Sequence, residues 1–465
     1  MSPRVIRWGG FAGSLATAAT AWLGGSGYQR VPSINPVTLL SGQRGVLLPI
    51  LWVLGTALLI LAWWFGRHVV PSLRWALVTV GLWILPVLWF LPLGSADIYS
   101  YACQGYVQQA GGDPYAGGVG SFGCPWLGSV ASSWVDSPAP YGPLFLLLSG
   151  WVVGLAGGSL AVVIAGVRVL ALAGVALLAV GVPVLARRCG IDPARAVWVV
   201  LACPIVLVHL VSGGHNDALM AGLIVAGLAL VASRRDAGWL VAAGAVLGLA
   251  VAVKATAVVV VPFAVLAARP RSAPGMSGGN AASGWRLLWR PAVAVGGGLV
   301  AAMALLSLGS GRGVGWVAGL LRSGDSVTWG SPPTAVGLTI KALTGFDAVP
   351  VVRVLGVVVL AGVLVRLWVR AFQQGGALGH AGLALAATVL CAPVFHPWYA
   401  IWPLAVLAAT RTESRWLLGL CAVAATLTTP AGYNWALYTR VPGAIVVTVA
   451  LVVLAVRLPR RRVVA

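Results

Sequence analysis

Apolar segments recur along the whole chain and are separated by short polar ones. Most of them are about 17–25 residues long, the length that an α-helix needs to cross the hydrocarbon core of a bilayer. We therefore predict an all-α, polytopic membrane protein with about fourteen transmembrane helices in a single domain over residues 1–465. The predicted spans lie near residues 9–24, 46–65, 74–93, 160–186, 194–212, 217–233, 238–253, 255–268, 287–309, 349–370, 377–395, 397–410, 414–430 and 441–457.

Two apolar segments need separate treatment. The first, 9–24, follows Arg4 and Arg7 and has the form of a signal peptide, but a second span follows soon after, so we favour an uncleaved first helix. The second, 142–158, is short and begins at Pro143. A crossing there would place every later basic cluster on the wrong side, so we predict an interfacial or re-entrant helix.

The charge pattern fixes the predicted orientation. Only 8% of the residues are charged, 60% are hydrophobic and the mean hydropathy is +0.96, which excludes a soluble enzyme. The net charge of +21 does not indicate nucleic-acid binding, because most basic residues form short clusters between apolar segments. These clusters place both termini in the cytoplasm, at the plasma membrane, with residues 270–286 as a flexible cytoplasmic linker and residues 94–142 outside.

The outer segment that begins "ADIYSYACQGY" carries two of the nine acidic residues, Asp97 and Asp113. Asp97 follows a predicted span within a few residues, where ionisable groups are usually functional. Asp113 precedes Pro114, and a structural role in a turn is the favoured alternative. Cys103 and Cys124 share this outer segment, and the sequence leaves open whether they form a disulfide or remain two thiols.

Further polar and aromatic residues are predicted on the same outer side, and together they predict a cleft at the outer membrane surface. Each has a structural alternative: Tyr and Trp form interfacial belts, "HND" caps the next helix, and a His before Pro belongs to a turn. The predicted substrate-binding residues are Tyr99, Tyr101, Gln104, Asp113, Tyr141, His215, Asn216, Asp217, Trp398, Tyr399 and Asn434.

Lys254 lies in "GLAVAVKATAVVVVP", between two apolar arms. An ammonium group in such surroundings requires an anionic partner or a short path to water. We predict that Lys254, with Arg440 and Arg312 as further candidates, binds an anionic group of the substrate.

Taken in order, "DIYSYACQGY", "DPY", "YGPLF", "GHNDALM", "AVKATAVVVVP" and "FHPWYAIWP" resemble the MptA/MptB family of polyprenol-phosphomannose-dependent α-1,6-mannosyltransferases, over about residues 90–440. The resemblance implies a GT-C glycosyltransferase fold with interfacial helices in a catalytic outer loop at 94–142. It also implies that Asp97 is the catalytic acidic residue and His396 an active-site histidine. In many GT-C enzymes the acidic residue follows the first span, whereas here it follows the third predicted span.

The implied reaction transfers mannose from polyprenyl-phosphate-mannose to a lipid-anchored mannan, in α-1,6 linkage and with inversion. A phosphate leaves well as an anion, so one base suffices, unlike in a glycosidase, which needs two carboxyl groups. No cofactor and no metal site are predicted, although a divalent metal stays possible. The alternatives are the same chemistry with another polyprenyl-phosphate sugar, or a transporter of a lipid-linked sugar, for which midplane charges or broken helices are expected.

Overall fold

The computed structural model describes residues 1–24, 46–269, 287–321, 327–411 and 414–457. The predicted linker 270–286 therefore lies outside the described residues. The described part is predominantly helical and contains no β-strand, only an isolated antiparallel bridge between Thr428 and Asn434. The predicted all-α class is therefore confirmed.

The first half of the chain forms ten α-helices among the described residues. They are α1 (Pro3–Gly24), α2 (Leu47–Gly66), α3 (Leu73–Ile84), α4 (Asp97–Gln109), α5 (Ser132–Val135), α6 (Pro143–Leu155), α7 (Leu160–Arg188), α8 (Pro193–Leu201), α9 (Asp217–Ser233) and α10 (Ala237–Val253). A 3₁₀ turn at Leu85–Leu88 extends α3, and a π-helical segment at Val206–Ser212 follows α8.

The second half contributes ten more described α-helices. They are α11 (Val261–Ala268), α12 (Trp289–Gly309), α13 (Gly315–Leu321), α14 (Pro332–Thr344), α15 (Val349–Gln374), α16 (Ala377–Cys391), α17 (Ile401–Thr410), α18 (Arg415–Thr426), α19 (Trp435–Tyr438) and α20 (Arg440–Arg457). The 3₁₀ segments Ala255–Val260 and Pro397–Ala400 lead into α11 and α17.

Five helices in the described part of the chain, α2, α7, α12, α15 and α20, are long and apolar enough to cross a membrane. The chain is thus a multi-pass membrane protein. Several other predicted spans are shorter apolar helices, and the predicted span 194–212 consists of α8 and the π-helical segment, which meet at an angle of 66°. The number of fourteen spans stays a prediction.

The core is centred on α9, which is buried on nearly all sides, as expected for a helix that is apolar all round. It packs against α7 and α10. Glycine permits the closest crossing: a Cβ on Gly222 of α9 would lie 2.5 Å from the carbonyl oxygen of Gly174 on α7. Small residues at such crossings let helix backbones approach and pack in the membrane.

Several helices are interrupted near one end of the bundle, and a buried side chain of a neighbouring continuous helix satisfies backbone groups at two of the interruptions. Pro204, which has no N–H, lies between α8 and the π-helical segment, where the helix bends. The buried Arg168 of α7 donates to the carbonyl oxygens of Leu88, Phe90 and Ser212 over 2.8–3.0 Å. These bonds join the end of α3 to the end of the π-helical segment.

The segment between α4 and α6 folds back over α4. Cys103 of α4 and Cys124 form a disulfide, which settles the question that the sequence left open. Helix α6, within the predicted interfacial segment 142–158, lies against α4, and a Cβ on Gly105 would stand 2.5 Å from the Ser149 carbonyl oxygen. Its other face exposes Trp151. The interfacial or re-entrant placement of α6 stays a prediction.

The close packing of α10 against α12 generates a stability prediction. A Cβ on Gly298 would lie 2.1 Å from the carbonyl oxygen of Val241, whereas a Cβ on Gly297 meets no atom within 4 Å. We expect Gly298→Ala to destabilise the protein by about 1–3 kcal/mol, because the helices must separate. The measurement is the Tm of the purified protein in detergent, with Gly297→Ala as the matched control. Equal Tm values for the two variants would contradict the packing.

Candidate active site

The interrupted helices bring five chain segments to one end of the bundle. Asp97 begins α4, His215 precedes α9, Lys254 follows α10, His396 precedes the 3₁₀ segment before α17, and Thr428 follows α18. Each segment contacts at least one of the others. The structure thus brings residues from separate segments of the chain into one cluster of side chains. That this cluster forms a cleft at the outer membrane surface stays a prediction.

Gly94 lets the loop before Asp97 approach the core of this cluster. It has a φ of +73°, which L-residues with a Cβ rarely adopt, and a Cβ there would lie 2.8 Å from the His209 ring. Its N–H donates to the carbonyl oxygen of Pro430. The loop is thereby held between the π-helical segment and the segment that follows α18.

Asp97 is the acidic group at the centre of the candidate site. Its Oδ1 accepts a hydrogen bond from the Trp134 indole N–H over 3.0 Å, and its Oδ2 lies 3.8 Å from Nδ1 of His215. Burial raises the pKa of Asp97 to about 6, while the hydrogen bonds from Trp134 and Ser95 and the charge of Lys254 lower it. The side chain is 14% exposed, so a substrate group can reach it.

Two imidazoles stack on the indole of Trp398. The ring of His215 lies 3.8 Å from it and the ring of His396 lies 4.7 Å from it, centroid to centroid. Burial, followed by the positive charge of Lys254, lowers the pKa of His396 to about 3. Burial also lowers the pKa of His215, so both rings are neutral near pH 7 and each carries one N–H.

The two ring nitrogens of His215 have different surroundings. The Tyr101 hydroxyl lies 3.3 Å from Nδ1 of His215, and Oδ2 of Asp97 lies 3.8 Å from the same nitrogen. Nε2 of His215 is buried and has no protein partner. The neutral ring therefore leaves Nε2 available to a ligand.

Lys254 forms a buried ion pair with Asp217. Its Nζ donates to Oδ1 of Asp217 over 2.9 Å, and the same oxygen accepts from the Trp402 indole N–H over 2.7 Å. The ammonium also lies over the rings of Tyr399 and Trp402, at 4.3 and 4.9 Å from their centroids. The anionic partner that the sequence analysis required is thus supplied by the chain itself.

Asn216 and Asp217 do not cap α9 as the structural alternative supposed. Asn216 occupies the N-cap position without a side-chain hydrogen bond to the helix, and both polar atoms of its amide are buried without a partner. Asp217 is engaged by Lys254 and Trp402 instead, and its Oδ2 has no partner. Buried polar groups that lack a partner are expected to meet water or a ligand.

Other predicted site residues have local structural roles. Oδ1 of Asp113 accepts from the Tyr115 N–H, which makes the turn that the structural alternative expected. Oδ1 of Asn434 accepts from the Ala436 N–H and caps α19. Tyr99 is fully buried, and Gln104 is fully buried with neither amide atom hydrogen-bonded. Asp113, Asn434 and Tyr99 therefore contribute to turns, caps or packing, whereas the Gln104 amide, like that of Asn216, is expected to meet water or a ligand.

The two arginines predicted to bind phosphate are not part of the Asp97 cluster in this structure. The Arg312 guanidinium donates to Oε1 of Gln108, and Gln108 lies about 16 Å along α4 from Asp97. Arg440 is exposed at the start of α20. Lys254 is therefore the predicted cation that the structure brings to the cluster.

Sequence reasoning missed three residues of the site. Trp134 and Trp402 donate to Asp97 and Asp217, and His209 lies 6.1 Å from His215, centroid to centroid, with Nε2 3.3 Å from the Thr428 hydroxyl. Trp402 stands in the quoted motif "FHPWYAIWP", which was its one signal. Trp134 and His209 had none, because a single tryptophan in a loop or histidine in an apolar helix has many structural explanations.

Comparisons with known proteins identify the same relatives for both halves of the chain. Residues 7–270 match the family model of the α-(1→6)-mannopyranosyltransferase N-terminal domain, and residues 333–458 match that of the MptB C-terminal domain. The α-(1→6)-mannopyranosyltransferase A of Mycobacterium tuberculosis is 33% identical over 460 residues, covering 92% of this chain and 85% of the relative. The α-(1→6)-mannopyranosyltransferase B of Corynebacterium glutamicum is 28% identical over 414 residues, covering 80% and 66%. No solved structure matches the chain.

The buried Lys254–Asp217 pair leads to a prediction with an internal control. Replacing Lys254 by Met leaves the carboxylate of Asp217 buried and uncompensated, and breaking such a pair costs about 3–5 kcal/mol. We expect a lower Tm for Lys254→Met in detergent, and partial recovery in the double variant with Asp217→Asn.

The control is the chain's other lysine, Lys341, which pairs with Asp347 over the same 2.9 Å but is half exposed. Because water screens this pair, Lys341→Met should leave the Tm unchanged. A Tm loss of equal size for the two lysine variants would contradict the importance of burial.

Proposed function

Because the chain belongs to the MptA/MptB family of α-(1→6)-mannopyranosyltransferases, we propose that it transfers mannose from polyprenyl-phosphate-mannose to a lipid-anchored mannan acceptor. The transfer forms an α-1,6 linkage with inversion, at the outer face of the plasma membrane. That the protein is a glycosyltransferase follows from the family; the donor, the acceptor, the stereochemistry and the membrane side belong to this proposal.

The observation that carries the proposal is the environment of Asp97. Its carboxylate is held on Oδ1 by Trp134, lies near a neutral imidazole on its Oδ2 side and is partly exposed. A pKa of about 6 leaves Asp97 mostly ionised at neutral pH yet close enough to that pH to accept a proton. Asp97 is proposed as the general base that removes the proton from the acceptor's 6-hydroxyl.

One such base is enough for the reaction. As the acceptor oxygen forms its bond to the anomeric carbon, the bond from that carbon to the phosphate oxygen breaks, and the phosphate departs with the electron pair. It needs no proton, in contrast to the leaving alkoxide in glycoside hydrolysis. A single in-line displacement converts a β-linked donor into an α-linked product.

The phosphate is proposed to lie beside Lys254 and the two histidines. Asp217 engages one of the three Nζ donors of Lys254, and neutral His396 and His215 each supply an N–H. Such preoriented donors stabilise the charge that grows on the leaving phosphate. Arg312 and Arg440 stay candidates for contacts farther along the lipid-linked substrates.

The aromatic residues of the cluster are proposed to hold these polar groups in place. Trp398 stacks with both histidines, and Tyr399 lies against Trp402 and beneath Lys254. The contact of Trp398 and Tyr399 with sugar or prenyl carbons stays a prediction. So does substrate binding by Tyr141, whose ring lies 5.3 Å from that of Tyr101, centroid to centroid.

The outer location of the site is supported by two independent observations. Basic clusters predict that the segment after α3 is extracytoplasmic. The disulfide between Cys103 and Cys124 lies in that segment, and disulfides persist in oxidising compartments outside the cytoplasm. Both observations support the proposal that Asp97 lies outside the cytoplasm, where lipid-linked sugars serve extracytoplasmic glycans.

Replacing Asp97 tests the mechanism. We expect Asp97→Asn to lower the transfer of labelled mannose from polyprenyl-phosphate-mannose by at least ~100-fold, because a proton-transferring group contributes about that much. Asp136→Asn, at an exposed position in the same outer segment, is the control and should transfer normally. Near-normal transfer by a folded Asp97→Asn protein would remove Asp97 from the mechanism. Movement of the lipid-linked sugar between vesicle leaflets without a new glycosidic bond would favour a transporter.

The membrane side is tested by cysteine labelling of intact cells with an impermeant reagent. Ser133 is exposed beside Trp134, and Gly238, at the start of α10 near Arg234 and Arg235, has no atom within 3.4 Å of an added Cβ. We expect Ser133→Cys to label from outside and Gly238→Cys to label only after permeabilisation. Labelling of Gly238→Cys in intact cells would overturn the assignment, as would protection of Ser133→Cys until permeabilisation.

A further inference from the structure

In the outer segment between α4 and α6, Trp134 forms a hydrogen bond with Asp97. Trp134 Nε1 donates to Oδ1 of Asp97 over 3.0 Å, and this bond spans 37 positions of the sequence. Oδ2 of the same carboxylate points towards His215, with 3.8 Å between Oδ2 and Nδ1. The indole therefore binds Oδ1, and Oδ2 faces His215.

Trp134 is itself held by the surrounding segment. It lies on the one-turn helix α5, and the Val135 carbonyl next to it packs so closely on Gly118 that a Cβ there would stand 2.3 Å away. The indole also contacts the ring of Tyr141, with 6.3 Å between centroids. These contacts fix the direction of its N–H.

The disulfide ties the same segment to the helix that carries Asp97. Cys103 is fully buried on α4, less than two turns from Asp97, and its partner Cys124 precedes Trp134 in the outer segment. A covalent link this near restricts how far α5 can move from the start of α4. The disulfide and the Trp134 hydrogen bond thus both join the segment between α4 and α6 to α4.

We propose that Trp134 is a positioning residue of the transferase, which orients the Asp97 carboxylate and keeps it ionised, and that the Cys103–Cys124 disulfide holds Trp134 in place for this role. The proposal rests on the proposed function of Asp97 as the base. A hydrogen bond to a carboxylate favours its charged form. Without the indole N–H, the carboxyl group is both freer to rotate and easier to protonate.

Among the groups that lower the pKa of Asp97, Trp134 has the largest effect. Burial raises the pKa of Asp97, and the Trp134 hydrogen bond lowers it more than either Ser95 or Lys254 does. The titratable groups that face or influence Asp97 from the neighbouring segments are Tyr101, Tyr141, His215, Asp217, Lys254 and Tyr399. Near pH 6, burial keeps the phenols protonated and His215 neutral, because it raises the pKa of the phenols and lowers that of His215, so the low-pH limb of activity reports Asp97.

The test is the pH profile of kcat/KM for Trp134→Phe in membranes that contain the full-length enzyme. Because the base works when ionised, activity falls as the pH drops through its pKa. Losing a hydrogen bond to the charged form raises that pKa, so we expect the low-pH limb to move up by about one pH unit. At pH 6 the loss should be about fivefold relative to the parent, and at pH 8.5 the protonation effect should vanish.

Two further Trp variants separate positioning from a general structural effect. Trp126 lies in the same segment but contacts Tyr106 instead of Asp97. Trp126→Phe should therefore keep the parental pH profile of kcat/KM. Trp134→Gln keeps an N–H donor and should shift the limb less than Trp134→Phe does. A uniform loss of activity at every pH in Trp134→Phe, with an unmoved limb, would overturn the proposal.

The disulfide is tested by the double variant Cys103→Ala with Cys124→Ala, which should move the limb in the same direction as Trp134→Phe. An unmoved limb in an active double variant would remove the disulfide from the proposal. Asp97→Asn distinguishes this inference from the proposed function. If Asp97→Asn transfers normally, the proposed base is wrong; if it is inactive while Trp134→Phe keeps the parental profile, the role of Trp134 alone is wrong.

Discussion

In a hydrocarbon environment a backbone N–H or C=O group has no water to bond with, so every interruption of a helix must find partners within the protein. The interruptions here find them in a buried arginine of α7 and in one another, since the N–H of Gly94 donates to the carbonyl oxygen of Pro430 and that of Gly142 to the carbonyl oxygen of Val253. Arg168 binds the carbonyl oxygens of Leu88, Phe90 and Ser212, which end two different helices. Because the irregular segments must meet to satisfy their backbones, the polar side chains that they carry meet as well, and a reactive cluster forms at one end of an apolar bundle.

Charge within this cluster is arranged along the same helix ends. Asp217 begins α9 and Lys254 follows α10, so each lies at the terminus that its charge stabilises, and the two are bonded to each other. In the Lys254–Asp217 pair, the positive and the negative charge neutralise each other. Asp97 is left with uncharged donors as its direct partners, and its burial raises its pKa. A carboxylate in this state is suited to taking a proton, whereas Asp217 is suited to holding Lys254.

Sequence patterns predicted the helices well where an apolar segment is long and uninterrupted. The predicted span 160–186 corresponds to Leu160–Arg188 and 349–370 to Val349–Gln374. The pattern did not show where proline or a polar residue interrupts a segment: 194–212 is bent, and 397–410 begins as a 3₁₀ turn. Hydrophobicity reports burial or lipid contact, and a bent helix buries its apolar residues as well as a straight one.

The amino-acid sequence by itself determined the membrane class, the all-α fold and the family, because these depend on apolar length and on short motifs that local residues define. It also indicated that Asp97 and Lys254 are special, since charge is costly in such surroundings. Only the tertiary structure decided their partners: Trp134 for Asp97 and Asp217 for Lys254. Hydrogen bonds and ion pairs act over about 3 Å, so partner choice depends on how distant segments pack, which no local pattern records.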